Sequence, residues 1–193
     1  LVSLPLRSAE IEIQAPHLEV MEDGLAVSAD LKFELGPRLE EAVNKGVVLY
    51  FVAELEGQRP RWWWLDEKIL VRNQTWRLSY HALTRQYRVS TGSGLYQSYG
   101  TLAEALRMLS RIRHWQVADK NEAALRTGET YRLGMRGFLD LSQLPRPFQI
   151  SALGNREWNL SSEWRYWQVV LSDQNGRLEV RNEAKADAKG ESK

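Results

Sequence analysis

The sequence predicts a mainly β protein, an antiparallel β-sandwich-like domain with one amphipathic helix over residues 101–113 and one short helix over residues 37–45. Three observations support this fold class. Roughly seven to nine segments have the apolar alternation or composition of strands. Glycine- or proline-containing turns separate many of them. The alternating order of strands and helices that a doubly wound fold requires is absent.

The first third of the chain predicts strands on either side of the short helix. Ala9 to Gln14 indicates a short strand, and Gly24 to Leu35 alternates apolar and polar residues throughout. Pro37 suits the first turn of the helix, and Gly46 suits its end. Val47 to Glu56 begins apolar on both faces, which is typical of a central strand.

The middle of the chain predicts a long strand and a hairpin. The long strand covers residues 69–80, but its apolar residues change parity along the way. A β-bulge between Val71 and Trp76 would reconcile the two groups. Gln86 to Ser90 is the expected hairpin partner, and a glycine-rich turn leads into a strand over Leu95 to Tyr99.

The helix over 101–113 has the clearest start signal. Thr101 and Glu104 form the T-x-x-E pattern of a capping box. Arg107 and Arg111 fall on its polar side and towards its carboxyl end, where positive charge is favoured. Its apolar stripe consists of Leu102, Ala105, Leu106, Leu109 and Ile112. A short strand over His114 to Ala118 is expected to follow.

The last third predicts an extended segment and a closing hairpin. Gly128 to Leu141 alternates, with its apolar residues on one parity. Trp167 to Leu171 and Arg177 to Arg181 flank the turn residues Asn175 and Gly176, a strong hairpin signal. A helix over 162–171 is the competing interpretation.

These elements predict a single globular domain over residues 9–181, with a flexible segment at 1–8 and a disordered tail at 182–193. The chain opens on Leu1, so we expect that a signal peptide or another leading segment was removed. The longest apolar stretch, Val47 to Ala53, is too short to cross a bilayer, and no membrane span is predicted.

The net charge of +1 hides a gradient along the chain. Residues 1–56 carry 4 basic and 11 acidic side chains, a net charge of −7, whereas residues 57–114 carry 10 and 3, a net charge of +7. Pairing of the two segments within the fold is the simpler explanation. A basic face for an anionic partner, or a salt-sensitive homo-oligomer, is the alternative.

The sequence contains no recognisable catalytic or metal-binding pattern. There is no cysteine, so disulfides and thiolate ligands are excluded. The three histidines, His17, His81 and His114, show no metal-ligand spacing. Asp66 and Glu67 are adjacent, so a strand would point them to opposite faces. We therefore predict a protein that is not an enzyme and that uses no cofactor and no metal. An enzyme whose site is assembled from residues distant in the chain, without a motif, is the third alternative.

Tryptophan is the unusual feature of the composition, with 8 residues. Trp62, Trp63 and Trp64 are consecutive and follow Arg59 and Arg61. Exposed indoles beside arginines are typical of binding surfaces. Another protein, a glycan or small ligand, and single-stranded nucleic acid are the candidates, and the balanced charge disfavours nucleic acid. A sheet buried on both faces is the structural alternative.

A second aromatic cluster lies between Trp158 and Trp167. It either forms a binding surface or docks the C-terminal segment on the sheet. The residues predicted to contact a partner are Arg59, Arg61, Trp62, Trp63, Trp64, Arg107, Arg111, Trp158 and Trp164.

Six segments in order resemble a bacterial family of exported proteins of unknown function, often described as proline-rich signal peptide proteins. They are LEEAVNKGVVLYF at 39–51, RPRWWWLDEK at 59–68, RLSYHALTRQYRV at 77–89, TLAEAL at 101–106, LDLSQLPRPF at 139–148 and WNLSSEW at 158–164.

The resemblance implies export to the periplasm or the cell envelope and a removed signal peptide. Genes of this family commonly lie beside an NtrY-type membrane sensor kinase, so the extracytoplasmic domain of such a sensor is the expected partner. The resemblance supplies no catalytic residues. This chain has only 6 prolines, so the proline-rich character is not seen in it.

Overall fold

The computed structural model describes residues 10–60, 66–92, 94–119 and 125–183. Within these ranges the chain forms two antiparallel sheets with three α-helices between their strands. The elements are β1 Ile11–Met21, β2 Gly24–Phe33, α1 Pro37–Asn44, β3 Leu49–Arg59, β4 Glu67–His81, β5 Gln86–Ser90, β6 Tyr96–Tyr99, α2 Leu102–Leu109, β7 Arg111–Asp119, β8 Thr130–Leu139, α3 Arg146–Ala152, β9 Arg165–Gln174 and β10 Arg177–Glu183.

The two sheets differ in size. The smaller has the strand order β1-β2-β7, and the larger has the order β10-β9-β8-β3-β4-β5-β6. Every strand pair within them is antiparallel. The predicted mainly β, sandwich-like fold is confirmed.

The core lies between the sheets. Phe33 of β2 and Phe51 of β3 pack edge to face, with ring centroids 4.9 Å apart. Gly137 of β8 lets the sheets approach, because a Cβ at this position would lie 3.4 Å from both Ile11 and Leu31. The remaining inner positions of β3 and β8 are apolar and buried, as strand alternation requires.

Helix α2 is shorter than predicted, because it ends at Leu109. The capping box of Thr101 and Glu104 is present. The Ser110 hydroxyl donates to the Leu106 carbonyl, and the Leu31 amide donates to the Ser110 carbonyl. Pairing with β2 therefore turns residues 111–113 into strand, and the predicted helical position of Arg111 is wrong.

The predicted bulge in β4 is present, but it lies at Ile69 rather than between Val71 and Trp76, because Gly57 pairs with Leu70 and Gln58 with Lys68. The register against β3 runs without interruption from Leu70 to Leu78. Leu70 points inward with Trp76 and Leu78, all three on one parity. Val71 is 44% exposed on the opposite side. Hydrophobicity alone assigned Val71 to the core, whereas the pairing decides its side.

The closing hairpin is confirmed and the competing helix over 162–171 is wrong. Asn175 and Gly176 have φ values of 56° and 77°, as a type I′ turn requires. Strand β10 continues to Glu183, so Asn182 belongs to the folded part, although the sequence placed it in the tail. Helix α3 was not predicted, since its sequence contains a proline and no regular apolar stripe.

Candidate interaction face

The larger sheet has one face on the core and one that faces away from the smaller sheet, and we call the second the outer face. It carries the even-numbered residues of β3 and β8, together with the residues of β4 and β9 that pair with them. On these strands and on β5 its basic residues are Lys68, Arg77, Arg88, Arg132 and Arg136, and its acidic residues are Glu54 and Glu56. Five positive and two negative charges give this face a net charge of +3.

An alternating stack of arginines and aromatic rings crosses the outer face. Trp164 and Tyr166 stack with ring centroids 5.9 Å apart and planes 19° apart. The Arg132 guanidinium lies 4.1 Å from the centre of the Tyr166 ring. The Arg136 guanidinium lies 4.8 Å from the Trp164 ring and 5.1 Å from the Phe138 ring. We call these five residues the arginine–aromatic ladder.

Glycine at position 134 makes room for the ladder. Gly134 lies opposite Tyr166 in the register of β8 and β9. A Cβ on Gly134 would lie 2.7 Å from Tyr166 Cδ1, closer still to Cε1, and 3.3 Å from Trp164. The two rings therefore rest on the bare backbone of β8, between Arg132 and Arg136.

Two glutamates of β3 fix the polar groups of the ladder. Glu54 accepts a hydrogen bond from Arg136 Nε at 2.8 Å, and the same carboxylate oxygen lies 2.7 Å from Nη2 in an ion pair. Glu56, only 7% exposed, lies 2.8 Å from Lys68 Nζ and accepts from the Tyr166 hydroxyl at 3.4 Å. Burial, and after it the charge of Glu56, raises the pKa of Tyr166.

Arg132 is the free cation of the ladder. Within the part of the chain that the structure describes, no carboxylate pairs with it, whereas Glu54 pairs with Arg136. Its guanidinium lies over the Tyr166 ring, and its hydrogen-bond donors remain available to another molecule. The ladder thus combines immobilised aromatic surface with a charge that is not neutralised.

A comparison with protein families decides where this chain belongs. The family described as Domain of unknown function (DUF4390) matches residues 8–168. The chain belongs to this family. The matched part of this DUF4390 protein includes the whole arginine–aromatic ladder, whereas β10 lies beyond it. Comparisons with curated proteins and with solved structures gave no match.

Of the predicted contact residues that the structure of this DUF4390 protein describes, one lies in the ladder. That residue is Trp164. Trp158 is 5% exposed and its ring packs on Phe148 at 5.7 Å, so the structure assigns it to the core rather than to a surface. Arg107 on α2 and Arg111 on β7 are exposed but lie on other elements.

Arg59 is held by two glutamates at the end of the core. Its Nε lies 2.9 Å from Glu129 and its Nη1 3.8 Å from Glu67. Its guanidinium also lies 5.9 Å from the centre of the Tyr131 ring, which is fully buried. Arg59 therefore covers the end of the core and is not available to a partner. Arg61 and the residues Trp62 to Trp64 lie outside the described residues.

Arg132, Arg136 and Tyr166 were not predicted as contact residues. A signal was present, because the two arginines stand four residues apart on the polar parity of the predicted strand 128–141. The apolar odd-numbered residues of that strand were correctly assigned to the core. Its even-numbered residues, which include the two arginines, form part of the outer face. Nothing in the sequence placed Tyr166 opposite Gly134.

Ser28, Glu19 and His114 form a second polar cluster, on the smaller sheet. The Ser28 hydroxyl donates to Glu19, and the His114 backbone amide donates to Ser28 Oγ at 3.0 Å. The His114 ring nitrogen Nδ1 lies 3.1 Å from Glu19. In a Ser-His-Asp triad the histidine accepts the hydroxyl proton, whereas here the Glu19 carboxylate accepts it. The cluster links β1, β2 and β7.

Glu19 makes the stability of the fold sensitive to acid. The hydrogen bond from Ser28, helped by the charges of His114 and His17, lowers the pKa of Glu19 despite partial burial. Its contribution to the free energy of unfolding is complete above the unfolded value of about 4.3 and is lost as pH falls through the lower folded value. Denaturant titrations at pH 6 and pH 3.5 should show that Glu19→Gln reduces this pH dependence.

Glu179 provides the matched control for this experiment. It is exposed on β10, and no described residue forms a hydrogen bond or an ion pair with its side chain. Glu179→Gln should keep the pH dependence of the unmodified protein. If the free energy of unfolding changed equally between pH 6 and pH 3.5 in Glu19→Gln and in the unmodified protein, the Ser28 hydrogen bond would not favour the ionised carboxylate.

The described residues offer no metal site and no membrane helix. No three histidine or carboxylate side chains among them are close enough to hold a metal ion. The helices within the same ranges are also too short and too polar to cross a bilayer.

Proposed function

We propose that this protein is a non-enzymatic binding protein of the bacterial cell envelope, and that another protein docks on the outer face of its larger sheet. The arginine–aromatic ladder is the observation that carries this proposal. Arginine, tryptophan and tyrosine supply most of the binding energy in protein interfaces. The ladder brings all three together on one exposed sheet.

The ladder is suited to binding because it is already ordered. Trp164 and Tyr166 rest on Gly134 and are held by the two arginines. Side chains that are fixed before association lose little conformational entropy on binding. A partner would meet a rigid surface, and most of the contact energy would remain as affinity.

The charge of the outer face favours an acidic partner. Its net charge of +3 includes Arg132 and Arg77, for which no described residue provides an ion pair. Opposite charge accelerates encounter and orients the two surfaces. Arg88, whose guanidinium lies 4.4 Å from the Tyr96 ring, adds a second cation–aromatic pair on the same face.

The envelope location and the class of partner rest on the family resemblance. Export and a neighbouring sensor-kinase gene make the extracytoplasmic domain of such a kinase the first candidate. A second copy of this chain is the other protein that the charge gradient allows.

Site-specific photo-cross-linking in the native bacterium tests the proposal. A photoreactive residue at Thr75 would sit on the exposed outer face, and one at the exposed Gln116 on β7 of the smaller sheet is the matched control. We expect cross-linking at Thr75 to capture an envelope protein that mass spectrometry can identify. Equal capture from both positions, or capture from Gln116 alone, would contradict docking on the outer face.

Alanine substitutions then distinguish binding at the ladder from binding at the surface predicted on α2. Arg132→Ala should weaken binding of the captured partner about tenfold or more, as expected for an interface hot spot. Arg107→Ala on α2 removes an exposed arginine outside the ladder and should leave the affinity unchanged. Isothermal titration calorimetry with the purified partner measures both. The reverse ranking would move the interface to the helix.

The aromatic residues of the ladder are poor platforms for a glycan. Sugars stack on open ring faces, whereas arginines cover Tyr166 and Trp164. The glycan alternative therefore depends on Trp62 to Trp64. Quenching of tryptophan fluorescence by cell-wall fragments would support it at the expense of protein docking.

A further inference from the structure

The edge of β1 lines a groove that meets the outer face at Trp164. β1 is an edge strand of the smaller sheet. Along the first half of β1, residues 10–15 form one wall and residues 162–165 form the other. The space between them is about 460 Å³. We call it the edge groove.

The second half of the same edge is closed by Asn182. Its side-chain amide accepts from the Leu18 backbone amide and donates to the Leu18 carbonyl, both at 2.8 Å. It also accepts from the Trp167 indole at 3.2 Å. One side chain here replaces a neighbouring strand, so the exposed edge is protected at Leu18.

The first half of the edge has no such protection. The Leu31 amide donates to Ser110, on the β7 side of β2. Ile13 lies opposite Leu31, so its backbone groups point away from β2, and those of Ile11 opposite Phe33 do the same. No hydrogen bond within the described residues reaches these groups from the groove side.

The alternation of β1 defines what would fit beside it. The Ile11 and Ile13 side chains point into the core. Glu10 and Glu12 are exposed on the other parity, and the far wall adds the exposed Glu163 and Arg165. The lining therefore carries three carboxylates and one guanidinium, a net charge of −2. A paired strand places its side chains on the same faces as those opposite them. Apolar residues would therefore stand beside the isoleucines, and basic residues beside the glutamates.

We propose that the edge groove binds an extended segment of a partner protein, with alternating apolar and basic residues, as a strand antiparallel to β1. Unpaired backbone groups provide the hydrogen bonds, and the acidic wall selects for positive charge. Antiparallel pairing is the more stable arrangement per residue. This site adjoins the outer face at Trp164, and its basic occupant differs from the acidic partner proposed there.

A peptide with the sequence KVKVKVK, acetylated and amidated at its ends, is the probe. NMR titration of the full protein should shift the amide resonances of Ile11 and Ile13. In an antiparallel ladder the valine amides face β1, because valine and isoleucine share a face. N-methylation of the valines should therefore abolish binding, and N-methylation of the lysines should preserve it. Equal binding of both methylated peptides would overturn the strand-addition geometry.

Charge reversal tests the acidic wall without touching the core. The double variant Glu10→Lys, Glu12→Lys should bind KVKVKVK about tenfold more weakly and gain affinity for EVEVEVE. Glu179→Lys, on the exposed β10, is the matched control and should bind KVKVKVK as the unmodified protein does. Unchanged affinity of the double variant would refute the role of these glutamates. Cross-linking at Thr75 should be unaffected, so this proposal and the outer-face proposal fail independently.

Discussion

Replacing Gly24 with alanine should lower the free energy of unfolding by about 3–5 kcal/mol, the largest stability effect that we expect from a single methyl group. Gly24 has a φ of 154° and pairs with both Met21 and Asp119, at the start of the central strand of the smaller sheet. A Cβ there would overlap the Ala118 carbonyl oxygen and lie 3.0 Å from its carbonyl carbon. Because the obstacle is backbone, β2 and β7 would have to separate. Chemical denaturation measures the loss.

Gly46 provides a control that isolates backbone strain from overlap. It has a φ of 88°, and a Cβ there would have open space around it. Gly46→Ala should therefore cost about 1–2 kcal/mol, the left-handed penalty alone. Similar losses at both positions would mean that the sheet accommodates a methyl group at Gly24.

Gly134→Ala should have the second-largest effect on the free energy of unfolding, and it should also weaken binding at the outer face. The new methyl group would displace Tyr166 from β8, and with it the stacking on Arg132 and the contact with Glu56. We expect a loss of about 1–3 kcal/mol in the free energy of unfolding, as for overpacked sites. Binding of the outer-face partner should weaken with it. Near-UV circular dichroism should report the disturbed tryptophan and tyrosine environment.

A double-mutant cycle with Tyr166→Ala makes this prediction specific. Without the ring, the methyl group at position 134 has no obstacle from Tyr166, and alanine is favoured over glycine in a strand by about 0.5–1 kcal/mol. Gly134→Ala should then stabilise the Tyr166→Ala protein although it destabilises the unmodified one. The same sign in both backgrounds would show that the glycine does not serve the ladder.

Local sequence patterns correctly predicted those elements that depend only on interactions between neighbouring residues. The Asn175-Gly176 turn, the capping box of Thr101 and the alternation of β2 act over a few residues, and all three are present in the structure. The end of α2 and the side on which Val71 lies depend on pairing with β2 and β3. Such register effects involve residues far apart in the chain, so local periodicity did not predict them.

The candidate site shows the same division. Exposed tryptophans and arginines were expected, and Trp164 does lie in the ladder. Trp158, chosen by the same criterion, is in the core, because the chain after α3 places it against Phe148. Tyr166 and Arg132 come from different strands, so their contact exists only after β8 and β9 have paired.

The sequence by itself determined the mainly β class, most of the strands and the chemical types from which a binding surface is made. Hydrophobic period and turn residues carry that information, because they act through neighbouring residues. Only the tertiary structure decided which arginine meets which ring, that Arg59 is held in ion pairs with Glu67 and Glu129, and that Asn182 closes the edge of β1 at Leu18. Those facts follow from strand register and sheet packing, which depend on the free energy of the whole fold.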